Sequence, residues 1–210
     1  MARRNKKADR YKSVLRLLQE DTPRTGKYCL KVRKKSKPLD SYFYVEHDNE
    51  TRDNSLLVVS EEYEVNYLSF LFNSSIGKEL LFGEQANPYI ENEISENNIL
   101  HFEVVDVPKS KQKKYGFLEE TIQELLLDNA NSKELEKLVE LRDALALELY
   151  DKNFFNEYKL NLYETWQESS FFNKKESQEN QEIDEELSDF LKFINLMTDS
   201  IIQMILKKLK

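Results

Sequence analysis

The sequence predicts an α+β fold: a small mixed α/β domain followed by an all-helical half, built as a bundle or a coiled coil. Three observations predict it. Strand-like runs, the first with period-two alternation, precede Pro108. After Pro108, apolar residues recur every three or four positions and no further proline occurs. Only four Gly and four Pro stand in 210 residues, a composition that excludes collagen-like and linker-rich classes.

The elements follow in order. Tyr11, Val14, Leu15 and Leu18 share a helical face, so a short helix is expected over 8–20. The DTPRTG stretch breaks it. Strands are expected at Tyr28–Arg33, Tyr42–His47 and Leu56–Ser60. In the first, Tyr28, Leu30 and Val32 alternate with Lys31 and Arg33, a half-buried strand with a basic outer face. A helix begins near Glu62 or Tyr63, breaks at Asn73–Ser75, and resumes over Gly77–Phe82, with Gly83 as its C-cap. Asn87–Ile90 reads as a turn or short strand, Ile94–Leu100 as a helical turn, and Phe102–Val107 as a strand stopped by Pro108.

Beyond Pro108, Leu118, Ile122, Leu125 and Leu126 form one helical stripe. Leu135, Leu138, Leu141 or Ala144, Leu145 and Leu149 form another, and the NANS stretch of Asn129–Ser132 separates the two. The aromatics of 153–172 are read as core, and Asn173–Glu182 as a polar loop. In the last helix Leu187, Phe190, Ile194, Met197, Ile201 and Met204 alternate in steps of three and four, a heptad seam for self-association or a partner. Leu191, Ile202, Ile205 and Leu206 widen that stripe, which equally suits a helix in a monomeric bundle. The expected divisions are a basic arm and helix over 1–20, a mixed α/β domain over 21–108, and a helical domain over 109–210.

Charge is split along the chain. Residues 1–37 hold 14 Lys or Arg against 3 Asp or Glu, a formal +11, and the remainder is near −19. One end therefore suits an anionic partner, or carries a solubilising tail. The single cysteine, Cys29, precludes an internal disulfide and fits a reducing compartment. The start MARRNKKADR is not followed by an apolar stretch, and the C-terminal apolar run is broken by Asp189, Lys192 and Asp199. A cytoplasmic protein with no membrane crossing is expected.

Catalytic signatures are missing. Two histidines, His47 and His101, and one cysteine do not make close-spaced zinc pairs. No GxSxG, GxxxxGKS or GxGxxG occurs. Asn87-Pro88-Tyr89 is a clipped version of the Asn-Pro-Pro-Tyr motif of adenine methyltransferases, with no glycine-rich cofactor loop upstream. Glu157-x-Lys159 falls in a helical pattern rather than on a nuclease strand. The expectation is a chain without enzymatic activity, cofactor or metal.

Gly26-Lys27-Tyr28-Cys29-Leu30-Lys31-Val32, Leu56-Leu57-Val58-Val59 and Tyr67-Leu68-Ser69-Phe70-Leu71-Phe72-Asn73-Ser74-Ser75-Ile76-Gly77-Lys78 carry a resemblance. So do Ile94 through Pro108 and Gln112. Together these stretches resemble the target recognition domain of type I restriction-modification specificity subunits, in one shortened copy where the full subunit carries two. The resemblance implies sequence-specific binding of double-stranded DNA, no catalysis, and helices that dock a DNA methyltransferase subunit. Two basic clusters suit phosphates: Lys31, Arg33, Lys34, Lys35 and Lys37, then Lys109, Lys111, Lys113 and Lys114. The rival expectation is a protein-interaction or oligomerisation module with no DNA role.

Overall fold

A computed structural model of the protein describes residues 15–17, 28–37, 42–46, 55–83, 87, 89–128, 133–169 and 178–209. The chain divides into two units, Met1–Asn131 and Ser132–Lys210.

Unit 1 is mixed, and its sheet forms where the alternating runs lie. Strands β1 (Arg16–Leu17), β2 (Cys29–Arg33), β4 (Tyr44–Glu46) and β5 (Ser55–Val59) make one sheet in the order β1-β5-β2-β4. A separate ribbon pairs β3 (Lys35–Ser36) with β6 (Asn92–Glu93). β2 is antiparallel to both neighbours, with Leu30 opposite Val45 and Val58. That register puts Leu30, Val32 and Val58 on one face, and all three are fully buried. The helix expected over 8–20 is not what Arg16 and Leu17 form: they pair with Val59 and Val58 as an edge strand. A short apolar run carries no helix of its own when an open sheet edge offers ladder partners. The rest of 1–20 lies outside the described residues.

Helix α1 (Val65–Asn73) covers the apolar face. Ser74 breaks it and caps α2 (Ser75–Phe82), its hydroxyl accepting from the Gly77 amide at 3.1 Å. Gly83 ends α2 at φ 86°, a conformation that favours glycine, its amide donating to the Glu79 carbonyl at 2.9 Å. A short α3 (Glu96–Leu100) follows. Then α4 (Lys109–Leu127) packs along α1. Tyr67, Phe70 and Tyr115 stack between these two helices with centroids 4.9–6.2 Å apart.

Two further expectations change in unit 1. Phe102–Val107 joins no sheet. Phe102, Val104 and Val105 are buried, and side chains rather than a strand satisfy the backbone. The Tyr67 hydroxyl donates to the Val105 carbonyl at 2.8 Å, and the Gln112 amide to the Val107 carbonyl at 2.9 Å. Burial pushes the Tyr67 hydroxyl well above its ordinary pKa, which keeps it a donor. The boundary expected at Pro108 lies after α4, because Tyr115, Leu118 and Ile122 complete the core of unit 1.

Unit 2 is helical: α5 (Lys133–Tyr150), α6 (Lys152–Glu157), α7 (Leu162–Glu168) and α8 (Gln178–Leu209). The predicted α5 stripe is inside at Leu138, Leu141, Ala144 and Leu145. Phe154, Phe155, Tyr163 and Trp166 are core as expected, whereas Tyr158 is exposed. Asp151 caps α6 at the Phe154 amide and also pairs with Lys208 near the end of α8. Glu148, itself buried, accepts from the Tyr163 amide at 3.0 Å at the start of α7. Residues 178–182, expected in a loop, open α8, and 129–132 and 173–177 lie outside the described residues.

The predicted seam of α8 divides. Leu187, Ile194 and Ile201 are buried, with Leu191, Ile202, Ile205 and Leu206 beside them. This face packs against α5 and α7 of the same unit. Met197 is half-buried, Met204 is exposed, and the Phe190 side chain lies outside the described residues. The row at 187, 194 and 201 is therefore a bundle contact, because the wider stripe has the 3.6-residue period of a globular helix rather than a strict 3.5 repeat.

Candidate nucleic-acid interface

The first basic cluster sits where β2 hands over to the ribbon. Alternation places Lys31 and Arg33 on the face opposite Leu30 and Val32. Lys31 is half-buried beside Tyr44 of β4, and Arg33 is exposed. Cys29, on the Lys31 side, is wholly buried. Lys34 reaches Glu96 at 3.8 Å, and its carbonyl accepts from the Ile94 amide at 2.8 Å, fixing the ribbon's entry. Lys35 is exposed opposite Glu93 in the ribbon, and Lys37 is exposed just beyond it.

The ribbon's other strand is fed by a turn that the charge pattern did not point to. Asn87 accepts from the Tyr89 amide at 3.0 Å, and Asn92 donates to the carbonyls of Asn87 and Ile90 at 2.7 and 2.8 Å. The turn so built exposes Tyr89 at 72% and Ile90 at 56%. In the clipped methyltransferase-like triplet, Asn87 and Tyr89 thus make an Asx-type contact. Its sequence signal is an apolar pair between turn residues, with no periodic partner.

The second cluster occupies the first turns of α4. Lys109 lies 3.7 Å from Glu64, and Lys109, Lys113 and Lys114 are exposed while Lys111 is half-buried. Lys113 shares a groove with Tyr28, the residue before β2. Arg33 ends that strand five residues on, about 16 Å away at strand rise. The structure therefore keeps the two clusters apart. Their ion pairs with Glu64 and Glu96 are surface contacts worth about 0–1 kcal/mol, easily exchanged for phosphate.

The residues that carry the family resemblance hold the fold instead. Asn73 accepts from the Phe43 amide at 2.8 Å and donates to the Phe43 carbonyl at 2.9 Å and the Glu119 carboxylate at 2.8 Å. Ser69 donates to the Phe43 carbonyl at 2.9 Å, Gln123 donates to Ser69 at 2.9 Å, and Tyr42 donates to Glu119. This buried network ties the approach to β4 onto α1 and α4. Gln112 accepts from the Glu64 amide at 2.9 Å, joining the starts of α1 and α4.

Among the described residues, no group of three or more His, Cys, Asp or Glu could hold a metal ion. His101 contacts its own helix, Nδ1 lying 2.9 Å from the Asn97 carbonyl, and His47 lies outside the described residues. Glu157 ends α6 and Lys159 follows at φ 56°. No described helix is long and apolar enough to cross a membrane. No family model matches the chain, and no curated protein matches it.

Proposed function

We propose that unit 1 is a non-catalytic module that reads double-stranded DNA, and that the helices of unit 2 dock a methyltransferase-type or other protein partner. The ribbon carries this reading: Lys35 and Ser36 pair with Glu93 and Asn92, and the turn leading into that second strand exposes Tyr89 and Ile90. Cations there meet phosphates, and a two-stranded ribbon has the width to enter a major groove. The α4 lysines supply a second set of phosphate contacts. The resemblance to restriction-modification recognition domains supports the same reading.

Selection from a randomised duplex pool at two salt concentrations tests it. An enriched motif that survives the higher salt is expected. Replacing Arg33 and Lys35 by Ala should weaken binding and flatten the salt dependence by about two phosphate contacts. Unselective binding that collapses with salt in wild type and variant alike would sink the reading.

A second reading, self-association through α8, is favoured by one observation. Leu196 is 88% exposed on the same helix as exposed Met204. Light scattering of the full chain distinguishes a monomer from a dimer held there.

A further inference from the structure

We propose that a groove in unit 1, between α4 and the start of β2, receives a basic amphipathic segment of a protein partner. The groove has a volume of about 650 Å³. It follows α4 from Lys113 to Leu127, about 21 Å at helical rise. That is an elongated channel suited to a peptide rather than the enclosed pocket of a small molecule. Exposed apolar side chains line it at Tyr28, Phe117 and Leu127.

Charge decides the occupant. Three carboxylates, Glu64, Glu120 and Glu124, line the groove with one ammonium, Lys113; Glu64 is already paired with Lys109 at 3.7 Å, whereas Glu120 and Glu124 have no such cation among the described residues. Glu120 and Glu124 lie four apart in α4, and no Lys or Arg stands three or four positions from either. Among the described residues neither carboxylate is in an ion pair. The helix has no acidic residue in its first turn and no basic residue in its last. Lysines crowd its N-terminal turns, and Glu124 and Asp128 stand at its C-terminal end. Both placements oppose the helix dipole, and the Glu120–Glu124 pair is self-repelling. Charges that do not stabilise their own helix are accounted for by a partner carrying the opposite pattern. Such a segment sets apolar residues on Phe117 and Leu127 and its Lys or Arg against Glu120 and Glu124. The proposal does not rest on DNA reading through the ribbon, although Lys113 belongs both to this groove and to the α4 lysine cluster.

The test uses the full chain and a fluorescein-labelled Leu/Lys amphipathic peptide of about 14 residues, long enough to span the groove. Fluorescence polarisation at low ionic strength is compared for wild type, Glu120→Gln/Glu124→Gln, Leu127→Ser, and a control, Glu136→Gln/Glu140→Gln on α5. Circular dichroism confirms that each is folded; the substituted side chains of the groove variants are exposed. About fivefold to tenfold weaker binding is expected for the double groove variant, and a measurable loss for Leu127→Ser. The control should bind like wild type, and a peptide with Glu for Lys should not bind. Equal losses in groove variant and control, equal binding of the acidic peptide, or no binding of the basic one would overturn the proposal. So would a fall in the mass of the protein alone on changing Glu120 and Glu124, because the occupant would then be a second copy.

Discussion

Single atoms decide several positions. At Gly77 an added Cβ would lie 1.8 Å from the Leu71 carbonyl oxygen, backbone that cannot swing aside. Gly77→Ala should therefore force α1 and α2 apart and cost about 3 kcal/mol, read as a lower urea midpoint at unchanged slope. Glu103 makes a pH-dependent case. Burial holds its carboxyl above the ordinary value of 4.5. Below that value the group is protonated both folded and unfolded, and nothing is lost. As pH rises through it, the unfolded chain ionises first, so native stability falls until the folded group ionises too. Glu103→Gln should remove this fall. Urea midpoints from about pH 4 to about pH 7 should show the variant gaining on wild type as pH rises; parallel curves would contradict the assignment.

At the scale of elements, α8 separates burial from periodicity. Ile194 is fully buried in unit 2, while Leu196, two residues on, is 88% exposed. Ile194→Asp should cost about 4 kcal/mol or more, because it buries a charge with no built partner, and Leu196→Asp should stay within about 0.5 kcal/mol. Thermal melts followed by circular dichroism check both. The contrast also explains what was legible in the sequence. Period-two alternation found β2, a strand-like apolar run found β5, and turn chemistry found the break at Ser74 and the cap at Gly83. Local pattern failed where a neighbour decided the outcome. Arg16–Leu17 became strand because β5 had an open edge, and Phe102–Val107 lost its ladder to Tyr67 and Gln112. The basic clusters could be read from composition. So could the turn at Asn87–Ile90, but the groove along α4 could not, because it exists only when distant segments meet.

At the scale of the whole molecule, the position of α4 determines what folds alone. A chain ended at Pro108 would lose Tyr115, Leu118 and Ile122, each essentially fully buried. It would also lose Gln112, which joins α4 to the start of α1, and Glu119, which receives Asn73 and Tyr42. Burying three such side chains stabilises by roughly 6 kcal/mol, a sum comparable with the whole stability of a typical domain at about 5–15 kcal/mol. Residues 1–108 should therefore stay unfolded, while 1–131 folds with a cooperative urea transition. Residues 132–210, with their own core of Leu145, Phe155, Trp166 and Ile194, should give a helical spectrum by themselves. A cooperative transition in 1–108 would mean that α4 is an appendage of unit 1 rather than part of its core. The Asn73–Glu119 contact would then contribute little. A folded 1–131 beside an unfolded 1–108 would show that the helix carrying the lysine cluster is built into unit 1, its cations held in fixed positions by the same core that holds the sheet.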